Sequence, residues 1–230
     1  MGFKDPSTRL RVLELALVTS VAFAGPVFGS LYYFFGEPLQ TSTSGQMMYA
    51  LINELLAISV LVYVLFRQGR RFGEIGFGFV WRDVPRSLAL TIGGYIAYYG
   101  CFVMIYYSHY AFTGQTLATP DIASKISSKG VIPAGLVFAV VNPFFEELIV
   151  RAYLMTELRL LTGSAAISIA TSVLLQTLYH LYQGVPLAAA DAAMFSVFAL
   201  YFSFTRRIMP VVLAHLAFDL FSVSFAALRA

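Results

Sequence analysis

Two adjacent glutamates, Glu146 and Glu147, lie within a long apolar segment, and Arg151 follows them on that segment. Glu147 and Arg151 are spaced i, i+4 with the acid first, which is the favourable helical orientation for an ion pair. Glu146 is rotated by about 100° and has no such partner on its own helix. We therefore expect Arg151 to neutralise Glu147, which leaves Glu146 available as a general base that activates water.

Two histidines extend this group of ionisable residues. Glu146 precedes Gly163 by as many residues as His180 follows it. In an antiparallel helical hairpin that turns at Gly163, equal counts mean equal depth, so Glu146 and His180 are predicted to face each other. His215 and Asp219 are spaced i, i+4 on a later apolar segment and share one face. Counting residues places His215 roughly 10 Å from His180 along the membrane normal.

Each of these residues also has a structural interpretation. A charged cluster can hold a bent helix, a buried histidine can simply satisfy its hydrogen bonds, and an i, i+4 pair can lie on a helix surface. Three further carboxylates, Glu14, Glu54 and Asp191, lie in apolar segments. A charge inside a bilayer is costly, so such residues by default mark a functional site. A single polar residue per span, however, more often packs against a neighbouring helix.

The composition indicates that these residues lie in a membrane protein. Hydrophobic residues make up 59% of the 230 residues, and charged residues make up 12%, about half of the roughly 25% that is usual in soluble domains. The mean hydropathy is +0.76. The one cysteine, Cys101, excludes an internal disulfide and a cysteine-based zinc site.

The apolar segments predict an all-α fold, a polytopic transmembrane helical bundle that forms a single integral membrane domain over residues 1–230. A bilayer core about 30 Å thick requires about 20 apolar residues per helix. The segments are too long and too uniformly apolar for the strands of a barrel. We expect about seven spans, near residues 10–36, 46–67, 86–112, 130–162, 164–183, 186–205 and 208–228.

The fourth segment is longer than one straight crossing requires. Its 33 residues would extend about 50 Å as a helix, and Pro143 lies within it. Proline removes a backbone donor and clashes with the preceding turn. Asn142-Pro143 therefore predicts a kink or the start of a new helix, with the two glutamates in its first turn, where the helix dipole favours anions.

The basic residues predict the orientation of the bundle. With the N-terminus in the cytoplasm, and with Arg151 left out because it lies within a span, eleven Lys and Arg residues fall on the cytoplasmic side and three on the outer side, as the positive-inside rule requires. The short loops suggest a prokaryotic plasma membrane. Phe72–Arg86 is broken by Gly and Pro, and we expect it either to lie at the cytoplasmic interface or to form an ordinary basic loop. The eleven are Lys4, Arg9, Arg11, Arg67, Arg70, Arg71, Arg82, Arg86, Arg159, Arg206 and Arg207; the three are Lys125, Lys129 and Arg229.

Three motifs in this sequence resemble those of the CAAX protease and bacteriocin-processing membrane family, also called CPBP or Abi, which includes the type II CAAX prenyl endopeptidases. The motifs are Pro143-Phe-Phe-Glu146-Glu147-x-x-x-Arg151, Tyr179-His180, and His215-x-x-x-Asp219. The resemblance covers roughly residues 70–228 and includes the stretch ending Trp81-Arg82-Asp83. One position departs from the family pattern: Gln176 replaces the phenylalanine usual four residues before the second-motif histidine.

The resemblance implies an intramembrane endopeptidase acting on a membrane-associated peptide or protein, with no nucleic-acid partner. Glu146 and His180 would activate a water, and His215 with Asp219 would stabilise the oxyanion or bind a metal. An ionised aspartate only accepts hydrogen bonds, so Asp219 would orient His215 or join a metal shell. Two histidines and two carboxylates suit zinc, although no H-E-x-x-H spacing is present. A zinc cofactor thus stays an open alternative.

Two other classes of function fit buried carboxylates and histidines. Proton- or cation-coupled transporters also place such residues in their spans, but they favour inverted repeats, and the sequence shows no repeat. A non-catalytic membrane scaffold or immunity protein is the third alternative.

Overall fold

A computed structural model describes residues 6–36, 44–119 and 132–228 of the chain. Within these ranges the chain forms eight α-helices and one π-helical segment, Glu147–Met155. Two 3₁₀ turns, Phe72–Ile75 and Leu181–Gln183, connect neighbouring helices. The α-helices are α1 (Pro6–Phe35), α2 (Ser44–Arg67), α3 (Asp83–Thr113), α4 (Ile132–Glu146), α5 (Thr156–Thr162), α6 (Ala165–His180), α7 (Val185–Thr205) and α8 (Met209–Leu228).

The predicted all-α transmembrane bundle is confirmed. In the described ranges, α4, the π-helical segment and α5 follow one another without a break and form one continuous helical rod. Each of the other six described α-helices forms a rod by itself, so seven rods correspond to the seven predicted segments. Five of these rods are long and apolar enough to cross a membrane. Large apolar side chains such as Phe28, Phe66 and Phe112 are exposed along the outer helices, as lipid-facing surfaces require. The chain is therefore an integral membrane protein.

The rod from Ile132 to Thr162 lies in the middle of the bundle. It is the most enclosed of the five long apolar rods, and every residue of its π-helical segment is buried. The helix begins at Ile132 and continues through Pro143, so the alternative of a new helix starting at Asn142-Pro143 is wrong. The regular α-helix ends instead at Glu146, one turn after the proline, and π-helical turns of this kind are frequent at functional sites.

The other helices enclose this rod. α4 packs against α2 and α8, α6 packs against α1 and α7, and α3 covers α7 and α8. A small residue allows the last of these contacts: a Cβ atom added at Gly94 of α3 would lie 3.2 Å from the ring of Phe218 on α8. Because Asp219 follows Phe218, this contact also fixes the depth of α8 beside the site.

Ion pairs join the helices at one end of the bundle. Glu14 of α1 binds Arg67 at the end of α2, and the buried Glu157 of α5 binds Arg11 and Arg70. At the same end Asp83 is paired with Arg86 and Arg207. The basic residues that the positive-inside argument grouped are thus found together where they are described, whereas Lys4, Lys125, Lys129 and Arg229 lie outside the described residues. The cytoplasmic position of this end stays a prediction.

The segment between α2 and α3 docks against the turn between α7 and α8. Ile75 is fully buried, Trp81 is 83% exposed, and the amide of Ile208 donates to the carbonyl of Gly76. A Cβ atom at Gly76 would lie 2.3 Å from the carbonyl oxygen of Arg206, and φ there is +90°, so this contact requires glycine. The adjacent Arg207 donates to Asp83, and that hydrogen bond raises the pKa of Arg207.

Candidate functional site

Glu147 is the centre of a buried polar cluster, with no part of its side chain exposed. One carboxylate oxygen, Oε2, accepts from Nη1 of Arg151 at 2.5 Å, so the expected ion pair is present. The other oxygen, Oε1, lies 2.8 Å from Nδ1 of His215. Glu147 therefore binds two side chains, that of Arg151 on its own rod and that of His215 on α8. The sequence predicted only the contact with Arg151.

Arg151 is completely enclosed by protein. Its guanidinium lies over the rings of Phe195 and Phe198, 5.3 and 5.6 Å from their centroids, and Nη2 is 3.5 Å from the carbonyl of Phe195. A fully desolvated guanidinium is stable only when its charge is paired, and Glu147 supplies that charge. This arrangement fits the supporting role that the sequence predicted for the pair.

His215 connects Glu147 to the third motif's carboxylate. Nε2 of His215 lies 3.6 Å from Oδ1 of Asp219, and Oδ2 of Asp219 accepts from the side-chain amide of Asn142 at 3.3 Å. The expected separation in depth was between His180 and His215, and it does not keep His215 from contacting Glu147.

Glu146 is buried and receives two hydrogen bonds from α6. The phenol of Tyr179 donates to Oε2 at 2.7 Å, and Nε2 of Gln176 donates to the same oxygen at 3.2 Å. Gln176 and Tyr179 are both buried, and Tyr179 stacks on Phe23 of α1 at 5.1 Å between centroids. In the described part of the chain both hydrogen bonds of Glu146 end on Oε2, so Oε1 is the oxygen left for another donor.

His180 is half-buried at the end of α6. Its Nδ1 lies 2.8 Å from the backbone carbonyl of Gln176. A carbonyl can only accept, so Nδ1 carries the proton in this contact, and Nε2 is the ring nitrogen left for another partner. Gln176 thus touches both residues of the predicted pair, Glu146 through its side chain and His180 through its carbonyl.

The register between Glu146 and α6 differs slightly from the prediction. Glu146 makes its hydrogen bonds to Gln176 and Tyr179, whereas equal counting around Gly163 pointed to His180. A π-helix places more residues in each turn than an α-helix. The nine π-helical residues therefore bring Glu146 closer to Gly163 than a uniform rise would, and its link to His180 runs through Gln176.

Exposure increases across the cluster from one side to the other. The side chains of Glu147 and Arg151 are 0% exposed, that of His215 is 5% exposed, and that of Asp219 is 25% exposed. His180 is also half-buried. The ion pair is thus sealed inside the bundle, and the histidine of α6 and the aspartate of α8 lie on the more exposed side of the cluster.

Of the three additional carboxylates, two belong to the neighbourhood of the cluster. Glu54 on α2 is influenced electrostatically by Glu146 and Asp219, and Asp191 on α7 is influenced by the histidines. Both are buried, and Oε2 of Glu54 and Oδ2 of Asp191 lack a hydrogen-bond partner among the described residues. Glu14 lies elsewhere, paired with Arg67. Asn142, which the sequence indicated only as part of a kink, is a further polar residue of the cluster.

The residues present do not fit a zinc shell. Among the described residues, no group of three or more His, Cys, Asp or Glu side chains is arranged to hold a metal ion. Both oxygens of Glu147 are already engaged, by Arg151 and His215, and Oε2 of Glu146 is engaged by Tyr179 and Gln176.

Comparison with known families confirms the resemblance of the motifs. Residues 128–221 match the family described as type II CAAX prenyl endopeptidase Rce1-like. The matched part contains all three motifs, from Pro143 to Asp219, and excludes the stretch that ends at Asp83. That description names endopeptidases, and the matched part is less than half of the 230-residue chain. No curated protein and no solved structure matches the chain.

Proposed function

We propose that this chain, whose residues 128–221 match the Rce1-like family, is an intramembrane endopeptidase that hydrolyses a peptide bond with water activated by Glu146 and His180. The observation that carries the proposal is the position of Gln176. Its side chain holds Glu146, and its carbonyl orients His180, so one residue links the two groups that would act on the water.

Glu146 is the general base in this proposal. Two donors fix Oε2, so the carboxylate is held in one orientation and Oε1 can accept a proton from a water molecule. The hydroxide equivalent attacks the carbonyl carbon of the scissile bond. The proton held by Glu146 then passes to the amide nitrogen as the C–N bond breaks, so the carboxylate is regenerated and atoms balance.

His180 and His215 have different tasks in the same reaction. Nε2 of His180 accepts a hydrogen bond from the second O–H group of the water and so orients the lone pair of the water oxygen towards the substrate. His215 faces carboxylates with both ring nitrogens, and in its protonated form its positive charge would favour the developing oxyanion. Asp219 as a carboxylate cannot donate; it orients His215, and Asn142 orients Asp219. Glu147 and Arg151 position His215 from the buried side.

The substrate is a membrane-associated protein or peptide. The cluster lies within a bundle whose outer surface is apolar, so a scissile bond would reach it from the bilayer or from its surface. The family description adds a candidate chemistry, a C-terminal CAAX peptide with a prenylated cysteine. The CAAX chemistry supplies the first probe, and the non-prenylated counterpart of the same peptide shows whether the lipid is needed.

The test is cleavage by the purified protein in proteoliposomes. Farnesylated and non-farnesylated CAAX peptides are incubated with the wild type and with Glu146→Gln, and the products are identified by mass spectrometry. We expect cleavage by the wild type and a loss of at least about 100-fold in Glu146→Gln, the scale of general-base catalysis. Glu74→Gln, which neutralises an exposed carboxylate outside the cluster, should cleave like the wild type.

Two outcomes would contradict the proposal. If Glu146→Gln cleaves as fast as the wild type, the proposed base is wrong. If the wild type cleaves neither these peptides nor a library of membrane-anchored peptides, but takes up an ion or solute into the proteoliposomes, a transporter replaces the endopeptidase.

A further inference from the structure

A pocket of about 440 Å³ lies at the charged end of the bundle. Arg159, which lines it, is twelve residues beyond Glu147 on the same rod, so the pocket is separate from the candidate active site. Its walls come from the start of α1, the segment after α2, α5 and the turn before α8. Four arginines line it: Arg11, Arg70, Arg159 and Arg206.

Two of these arginines already have a carboxylate partner. Glu157 is completely buried and uses one oxygen for Arg11 and the other for Arg70. The second acidic residue at the pocket, Glu74, is exposed and accepts from the backbone amide of Arg71. The carboxylates therefore leave an excess of positive charge among the four arginines.

The other two arginines bind only neutral oxygens within the described part of the chain. Arg159 donates to the backbone and hydroxyl oxygens of Ser203, at 3.3 and 3.4 Å, and Arg206 donates to the hydroxyl of Thr156 at 2.6 Å. Each guanidinium has five N–H donors, so both keep donors for a further acceptor.

Arg206 is held in this position although its neighbours repel it. Its φ is +56°, a left-handed conformation that is uncommon for a residue with a side chain, and its guanidinium lies over the ring of Phe202 at 4.8 Å. Burial, and then the charges of Arg159 and Arg70, lower the pKa of Arg206. An anion in the pocket would offset this repulsion and occupy the remaining donors.

We propose that this pocket binds a phosphate group carried by the headgroup of an anionic phospholipid. Arginine forks match phosphate oxygens in a bidentate geometry, and basic pockets between transmembrane helices bind anionic headgroups. An apolar border distinguishes a lipid from free phosphate: Leu160, which lines the pocket, is 58% exposed, and Leu13 on the adjacent α1 is 66% exposed. Acyl chains can lie along these side chains while the phosphate enters the pocket.

The test measures which lipids stay bound to the protein. The wild type, Arg159→Gln and Arg82→Gln are reconstituted in nanodiscs that mix phosphatidylglycerol with phosphatidylcholine, and the extracted proteins are weighed by native mass spectrometry. We expect the wild type to retain phosphatidylglycerol and Arg159→Gln to bind it about tenfold more weakly, because a charge-assisted hydrogen bond is lost. Arg82 is exposed and outside the pocket, so Arg82→Gln removes the same charge and should bind normally.

A second arm uses inorganic phosphate with lipid-free protein in detergent, compared with chloride at equal ionic strength. Stabilisation by phosphate that disappears in Arg159→Gln, without retained lipid, would support the anion pocket and overturn the lipid as its source. Arg159→Lys keeps the charge and should retain lipid within a few-fold of the wild type, which separates a binding defect from a folding defect. If the wild type and all three variants retain lipid equally, the proposed anion pocket is wrong. It is also wrong if none of the four proteins retains lipid and phosphate does not stabilise any of them.

Discussion

His215 and Glu147 are 68 residues apart in the chain, yet Nδ1 of the histidine lies 2.8 Å from Oε1 of the glutamate. The same carboxylate binds Arg151 through its other oxygen. One buried anion thus holds the central rod and the last helix together. Glu146, its neighbour, points to α6 and meets Tyr179 and Gln176. The two glutamates therefore differ in what they connect, and substitutions should separate their contributions.

Glu147→Ala should mainly lower stability. It leaves Arg151 buried without its counter-charge, and breaking a buried pair from one side costs about 3–5 kcal/mol. The free energy of unfolding in mixed detergent micelles, measured by circular dichroism, tests this. Glu146→Gln should unfold within about 1 kcal/mol of the wild type, because its amide oxygen still accepts from Tyr179 and Gln176. Equal losses of unfolding free energy in the two variants would show that the two glutamates do not have separate roles, one in stability and one in catalysis.

Tyr179→Phe should slow cleavage without unfolding the protein. The substitution removes one donor to Oε2 of Glu146 and keeps the ring that stacks on Phe23. A hydrogen bond to a charged group is worth about 1.5–3 kcal/mol, so the cleavage rate should fall roughly 10- to 100-fold. Tyr182→Phe is the control, because Tyr182 lies in the turn between α6 and α7 and makes no hydrogen bond to Glu146. A wild-type rate in Tyr179→Phe would mean that this contact does not orient the base.

Gly76→Ala should destabilise the charged end of the bundle. The new Cβ would lie 2.3 Å from the carbonyl oxygen of Arg206, at a φ of +90°, so we expect a loss of about 2 kcal/mol or more in the free energy of unfolding. Gly73→Ala is a matched change in the same segment, where a Cβ meets nothing within 4 Å. It should shift stability by less than about 1 kcal/mol. Indistinguishable unfolding curves would contradict the close approach of the two segments.

Gly94→Val should disturb the packing of α3 on α8. The added side chain meets the ring of Phe218 and the side chain of Met194, and overpacking of this kind costs about 1–3 kcal/mol. Cleavage should fall as well, because Asp219 follows Phe218. A Cβ atom added at Gly93 would lie 3.9 Å from its nearest neighbour, a methyl group of Val197, so Gly93→Val should be milder in both assays. If Gly93→Val were the more damaging variant, α3 would have to be rotated about its own axis relative to this structure.

The orientation of the chain can be tested by cysteine labelling. In a Cys101→Ser background, single cysteines at Arg82 and Gln115 lie at opposite ends of α3 and are exposed. With the N-terminus in the cytoplasm, a membrane-impermeant maleimide should label Gln115→Cys in intact cells and Arg82→Cys only after permeabilisation. The opposite pattern would reverse the predicted topology.

Local patterns in the sequence predicted the parts of the fold that depend on local physics. Long apolar segments are sufficient to identify helices in a membrane, and the i, i+4 spacing of Glu147 and Arg151 is sufficient to pair them. Both features depend on residues of one helix. The type, order and spacing of the three motifs were also sufficient to predict the family whose description matches residues 128–221.

The remaining contacts depend on how separate helices meet. No residue type marks the π-helical segment, which changes the register of Glu146 against α6 and so brings in Gln176 and Tyr179. The contact of His215 with Glu147 depends on how α8 packs beside the central rod. Asn142 was visible in the sequence beside Pro143, but its role emerges only once α8 brings Asp219 to it.

The pairing of Glu147 with Arg151 on a single helix also affects biogenesis. Two opposite charges one turn apart can neutralise each other as soon as that helix forms, so the translocon receives a segment with less exposed charge. His215 and Asp219 come from the last described helix. A nascent chain that has emerged only through α7 holds the ion pair but lacks the imidazole that contacts it, so the proposed site would be complete only after that helix inserts.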